Sequence, residues 1–139
     1  MSADGASTAS GPGRLVVMVY GVLAVAATAR STVQVLRDFE TAPLAYTLSA
    51  VAAVVYVGAT VALARGGRAW RRVAWAAVGT EMAGVLAVGT LSVVQPDLFA
   101  DATVWSGFGQ GYGYVPLVLP LVGLWWLHRT RPRAGTDAG

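Results

Sequence analysis

Glu81 is an acid set alone in a long apolar run, residues 73–94. A carboxylate inside a membrane span is costly unless it is paired, protonated or facing water, which makes such an acid a functional candidate: a proton relay, or the coupling site of a carrier. The competing expectation is structural, with the acid protonated and bonded to a helix carbonyl or hydroxyl. Arg30 follows the apolar run 15–29 and is the second candidate. It either snorkels to the headgroups, pairs with Asp38 or Glu40, or approaches Glu81 through water or a bridging hydroxyl. A carrier requires Glu81 to share a polar cavity with Arg30, Tyr20, Tyr56 or Thr80. A structural acid requires only a local bond in a dry bundle.

Other chemistry is sparse. The chain has no cysteine, which removes disulfides, thiolate metal sites and cysteine nucleophiles. A single histidine, His128, cannot build a multi-histidine metal site. There is no serine–histidine–acid set and no pair of carboxylates in one span. The expectation is therefore no catalytic residue, no metal and no cofactor. The glycines of 105–114, WSGFGQGYGY, are not a phosphate loop, because no Walker lysine follows and no strand precedes them.

The elements that must position these residues follow from composition. Of 139 residues, 55 % are hydrophobic and 12 % charged, whereas soluble domains carry about 25 % charged residues. The apolar residues fall in long blocks, the pattern of membrane helices. Four spans are expected, at about 15–36, 42–64, 73–94 and 112–127. The first, about 22 residues, makes roughly 33 Å of helix against a ~30 Å hydrocarbon core. Ala27, Thr28 and Ala29 resemble a signal-peptide cleavage site, but Arg14 alone makes a poor basic n-region. Pro43 and Pro116 suit first helical turns, and Pro120 is expected to kink the fourth helix. The tails 1–13 and 129–139 are expected to be disordered, the second being basic. The fold class is all-α, a four-helix transmembrane bundle running up-down-up-down over residues 14–128.

Arginine placement sets the orientation. Every basic residue is an arginine and the net charge is +3. Arg14, then Arg65, Arg68, Arg71 and Arg72 in the middle turn, then Arg129, Arg131 and Arg133 fall on one side if there are four spans. The other side has Arg30 and Arg37 beside Asp38, Glu40, Asp97 and Asp101. The arginine-rich side, with both termini, is expected in the cytoplasm. These arginines flank apolar blocks and form no basic face on a soluble module, which argues against nucleic acid. Trp70, Trp75, Trp125 and Trp126 are expected at the cytoplasmic interface, and Tyr46, Trp105, Tyr112 and Tyr114 at the outer one. His128 suits the last turn of its helix, where a cation complements the dipole.

Small residues recur at four-residue spacing: Gly79, Ala83 and Ala87; Ala76, Thr80 and Gly84; Gly58 and Ala62. Such faces let membrane helices approach closely, within the bundle or at a homodimer seam, and internal packing is the expectation. The WSGFGQGYGY segment is expected to be an interfacial loop; the alternative is a re-entrant turn or the wall of an outward cavity.

The phrases YGVLAVAATAR (20–30), FETAPLAYTLSA (39–50) and DATVWSGFGQGYGYVPLVLP (101–120) resemble small four-span integral membrane proteins of actinobacteria. That resemblance implies location and architecture only. The size is also similar to small multidrug-resistance exporters, whose signature acid lies in the first span; here Glu81 is in the third. The expected protein is therefore a multi-pass protein of the bacterial plasma membrane, with no enzymatic activity. Its partners are the lipid bilayer and either a second copy or another membrane protein. The alternatives are a small proton-coupled transporter using Glu81, and a membrane sensor whose basic tail binds anionic lipid.

Overall fold

The structure, a computed structural model, describes residues 11–130. Among the described residues all regular structure is helical. Helix α1 is Pro12–Asp38, α2 is Pro43–Arg65, α3 is Arg68–Val94 and α4 is Val115–Arg129, with short 3-10 turns between α1 and α2 and between α3 and α4. Helices α1, α2 and α3 are long and apolar enough to cross a membrane. Helix α4 has 15 residues, about 22 Å of helix.

The boundaries follow local chemistry and correct the expected ones. Pro12 stands in the first turn of α1, where its missing N–H has no cost, so Pro12 and Gly13 belong to the helix rather than to a disordered tail. Residues 1–10 of that tail, and residues 131–139 with Arg131 and Arg133, lie outside the described residues. Between α2 and α3 the turn is only Gly66 and Gly67. Both adopt positive φ, +67° and +86°, which favours glycine, and the Gly66 N–H closes α2 by donating to the Ala62 carbonyl at 3.1 Å. Arg68, Arg71 and Arg72 are thus in the first turns of α3 and not in a loop. Helix α4 begins at Val115 rather than 112, because Gly113 and Tyr114 are both left-handed. It continues through Pro120 to Arg129.

Helices α1 and α2, and α2 and α3, are joined by short connections and pack as antiparallel neighbours, whereas α3 and α4 pack together across the longer connection 95–114. At the α3–α4 pair the antiparallel arrangement is explicit. Arg71, in the first turn of α3, donates to the Leu127 carbonyl and, at 3.2 Å, to the Thr130 hydroxyl at the far end of α4. The core is built from Tyr20, Tyr56, Leu63, Val78, Val85 and Leu127, all fully buried. The outside is also apolar: Leu15, Val22 and Val25 on α1 and Val54 on α2 are 64–72 % exposed. A bundle greasy on both its inner and outer faces is built for a lipid solvent.

The small-residue faces do not pack as expected. Ala83 and Ala87 are exposed, Gly79 is half-buried, and a Cβ on Gly79 would meet nothing within 4 Å. Gly58 likewise has open space, although Ala62 is buried. On α3 the glycines that do receive a neighbour are Gly84 and Gly89. A Cβ there would lie 2.5 Å from the Trp105 ring and 2.5 Å from the Phe108 ring, respectively.

The chain between α3 and α4 therefore folds back into the bundle. Thr103, Val104 and Trp105 are buried. Gly84 lies ten residues before the end of α3, so the Trp105 ring reaches roughly 15 Å along that helix. The Trp105 and Phe108 rings thus pack on α3 instead of resting outside the bundle, while Gln110, Gly111, Gly113 and Tyr114 of the same segment stay exposed. Open space at Gly84 and Gly89, seen only when the helices are assembled, is what admits the rings.

Candidate functional site

The site starts from Glu81. It stands mid-way along α3 on the face that also carries Val78 and Val85, and it is 0 % exposed. Tyr20 projects from α1 across the bundle, also 0 % exposed, and its hydroxyl donates to Glu81 Oε1 at 2.6 Å. The distance is that of a strong O–H···O bond. Helix α4 comes close here because it carries Gly123: a Cβ at that position would sit 3.0 Å from the Tyr20 hydroxyl and 3.2 Å from Val78. Glu81 Oε2 is buried without a hydrogen-bond partner.

A second aromatic layer lies above the pair. The Tyr20 and Tyr56 rings are 6.5 Å apart and tilted by 51°, an edge-to-face range of geometry. The Tyr56 hydroxyl accepts from Trp105 Nε1 at 2.9 Å. Helices α1, α2 and α3 and the inserted segment thus meet through four buried side chains.

The inserted segment is tied down along its length. The Val104 N–H donates to the Ser49 hydroxyl at 3.3 Å, and the Gly107 N–H donates to the Ser92 hydroxyl at 2.8 Å. The Tyr46 hydroxyl donates to Asp101 Oδ2 at 2.8 Å, and the Ala102 N–H donates to Asp101 Oδ1 at 2.7 Å. Those bonds, with Arg30 nearby, hold the Asp101 carboxyl below the usual aspartate range. Arg30 itself donates to the Ala102 carbonyl at 3.3 Å.

The predicted residues therefore divide. Tyr20, Tyr56 and Glu81 come together. Arg30 does not join them: it is ten residues, ~15 Å, along α1 from Tyr20, and it serves the loop instead. Thr80 is exposed, on the outward face of α3. Tyr46, Trp105 and Trp126, expected at the interfaces, are 4 %, 3 % and 5 % exposed and belong to the interior. Trp70, Trp75, Trp125 and Tyr114 are 38–50 % exposed, as interfacial rings should be. His128 is exposed at the last turn of α4. Comparison of the chain with protein families, with curated proteins and with solved structures gives no match. The residues that sequence reasoning missed are Trp105 as a buried donor, Ser49 and Ser92 as loop anchors, and Arg71 as the cap of α4. The only signal for the first was glycine alternating with aromatics in 105–114.

Chemically, the arrangement binds one carboxyl to one phenol in an apolar enclosure. It offers no nucleophile with a base, and no cluster of three metal-ligating side chains occurs among the described residues. Tyr20→Phe and Glu81→Leu are each expected to destabilise the bundle by ~1–3 kcal/mol, the cost of leaving the other group unpaired. Combining them should cost less than the sum, by about 1 kcal/mol. Glu81→Gln, whose amide oxygen still accepts from Tyr20, should retain most of the stability. Reversible unfolding in detergent micelles measures the cycle, and strictly additive losses would remove the bond from the argument.

Asp101 makes a pH prediction. Its folded pKa is depressed, so its contribution is complete above the ordinary value of about 3.9 and is lost as pH falls through the lower folded value. Wild type should exceed Asp101→Asn in stability at neutral pH and converge on it in acid. Intrinsic tryptophan fluorescence during unfolding reads both proteins, and a constant gap down to acid pH would contradict the assignment.

Proposed function

We propose that the chain is a multi-pass protein of the bacterial plasma membrane. It crosses four times, up-down-up-down, with both termini in the cytoplasm, and it acts without catalysis as a packing or accessory partner of other membrane proteins. Its resemblance to small actinobacterial membrane proteins agrees with that location. The charge distribution supports the orientation: Arg65, Arg68, Arg71, Arg72 and Arg129 gather at one end of the bundle, against Arg30 and Arg37 at the other. The fourth crossing is short in α4 alone, and the inserted segment before it supplies the remaining depth.

The observation that carries the accessory reading is the enclosure of Glu81. A carrier has to expose its coupling acid to water on each side in turn. Glu81 is fully buried, bonded to Tyr20, and covered from α4 at Gly123. Neither Arg30 nor Thr80 shares its space. The surface left open is instead on the outside of α3, where Ala76, Thr80, Ala83 and Ala87 are exposed and Gly79 is half-buried. Without large side chains, that face lets another helix approach closely. The second reading, a proton-coupled carrier, draws on one observation, the unpartnered Glu81 Oε2.

Cysteine labelling tests the orientation on a chain with no cysteine of its own. In intact spheroplasts an impermeant maleimide should label Gly111→Cys, and should label Ala69→Cys only after lysis. The reverse pattern would invert the proposed topology. For function, proteoliposomes of wild type and Glu81→Gln should show the same proton permeability as empty vesicles. Glu81-dependent flux would move the protein to the carrier class. In the same strains a photo-crosslinking residue at Ala83 should give a discrete adduct above 14.3 kDa, while one at Val54 should not. Absence of an adduct at both positions would defeat the accessory reading.

A further inference from the structure

Two hollows meet along the junction of α1 and α2. The first is a groove of about 490 Å³ between the helices, bordered by Thr28, Ser31 and Thr32 of α1 and by Ala53, Val54 and Val57 of α2. Its volume is that of a small-molecule site, ~300–1,000 Å³. It opens on the apolar outside of the bundle, where Leu36 is 78 % and Val54 72 % exposed. The second hollow, about 400 Å³, surrounds Arg37, Asp38, Glu40 and Thr41 at the end of α1. Val35 and Leu36 border both, so the two adjoin at the end of α1. Going from the bundle's middle to its end, the lining thus changes from apolar with hydroxyls to charged.

Within the first hollow, one polar group lacks a partner. Thr32 Oγ1 donates to the Thr28 carbonyl at 2.7 Å. Ser31 is 4 % exposed, and its hydroxyl has no hydrogen-bond partner. Buried hydroxyls are otherwise bonded, and each exception needs an explanation. Ser31 lies six residues, ~9 Å, from Arg37 along α1. That places an unused donor between the apolar and the charged parts of the hollow.

We propose that this junction holds one bilayer phospholipid with an aminoalkyl phosphate headgroup. An acyl chain lies in the α1–α2 groove, the Ser31 hydroxyl donates to an ester carbonyl, and the headgroup sits among Arg37, Asp38 and Glu40. The charges select this headgroup. The phosphate takes charge-assisted hydrogen bonds from the Arg37 guanidinium. The ammonium pairs with the carboxylates of Asp38 and Glu40. An anionic headgroup without an amine meets two carboxylates and one guanidinium, and like charges repel it. The inference rests on the membrane-embedded reading and not on the accessory role.

The test is native mass spectrometry of the full chain, released from detergent after titration with dioleoylphosphatidylethanolamine or dioleoylphosphatidylglycerol. One phosphatidylethanolamine per chain is expected, held at least about tenfold more tightly than phosphatidylglycerol, as the loss of a charged hydrogen bond would give. Arg37→Gln, an exposed position that leaves the core intact, should lower phosphatidylethanolamine binding by a similar factor. Ser31→Leu, which fills the groove, should abolish it. Equal retention of the two lipids, or unchanged binding in Arg37→Gln, would overturn the proposal even if Ser31→Leu failed to fold. Membrane fractionation of the same proteins separates the two claims. A chain that stays in membranes but shows no preference loses the lipid site alone, whereas a chain found in the soluble fraction loses the membrane reading with it.

Discussion

A carboxyl group deep in an apolar bundle has few ways of being accommodated, and the choice made here constrains three helices at once. Glu81 accepts from Tyr20, so α1 must present its tyrosine at the depth of the middle of α3. Sliding α1 by one helical turn, about 5.4 Å, would break the bond and leave both groups without partners. The phenol needs room to cross the bundle, and Gly123 of α4 gives it, since a Cβ there would press on its hydroxyl at 3.0 Å. Apolar packing alone has little preference between registers in lipid, where helix faces and acyl chains are similarly greasy. One directional bond therefore contributes more to the uniqueness of the arrangement than its modest energy suggests.

The same requirement, that polar groups buried in an apolar interior find partners within the protein, explains the inserted segment. Non-helical backbone brings unsatisfied N–H groups, and five side chains meet them: Asp101 for Ala102, Ser106 for Thr103, Ser49 for Val104, Thr103 for Trp105 and Ser92 for Gly107. Ser92 does two tasks, because its own hydroxyl donates to the Gly89 carbonyl at 2.8 Å. Close approach comes from Gly84 and Gly89, which lack the Cβ atoms that Trp105 and Phe108 would strike. Phe108 and Tyr114 adopt φ of 61° and 63°, an unfavourable region for aromatic residues. Packing of the Phe108 ring against Gly89 holds the first of these in place. The segment is thus a constructed plug rather than a slack connection.

How much of this is legible in the sequence depends on the kind of information required. Helix existence is read from apolar block length, and α1, α2 and α3 lie where the blocks are. Their ends are less legible, because the arginines of α3 look like a loop while Gly66 and Gly67 already complete the turn. Residue type puts Glu81, Arg30, Tyr20, Tyr56 and Thr80 into one candidate set, and the fold brings together only Glu81, Tyr20 and Tyr56 of the five. Angular position cannot be read so easily. Thr80 is adjacent to Glu81 in sequence, yet one residue is about 100° of rotation, and its side chain faces outward. Likewise Gly79–Ala83–Ala87 and the Gly84, Gly89 pair look alike as strings of small residues. Only assembly shows that the second receives aromatic rings, while among the described residues Ala83 and Ala87 stay exposed and a Cβ on Gly79 would meet nothing within 4 Å. Trp105 was indistinguishable from an interfacial tryptophan, because what buries it is on α2 and α3.

The two ends of the bundle use their arginines differently, and this bears on the proposed orientation. At the end holding Gly66 and Gly67, Arg65 lies 5.6 Å from the Trp70 ring and Arg129 lies 5.5 Å from the Trp125 ring. Both tryptophans are partly exposed, so cation and ring sit together where headgroups would be. Arg71 closes the last turn of α4 through Leu127 and Thr130, so a residue counted for topology is also structural. At the opposite end Arg30 is engaged with the Ala102 carbonyl beside Asp101. Its charge is held within the protein's own loop and partly balanced there, which leaves Arg37 as the exposed arginine of that end. Engaged arginines thus occur at both ends, and the proposed orientation, with the Gly66–Gly67 end cytoplasmic, rests on their number rather than on their freedom.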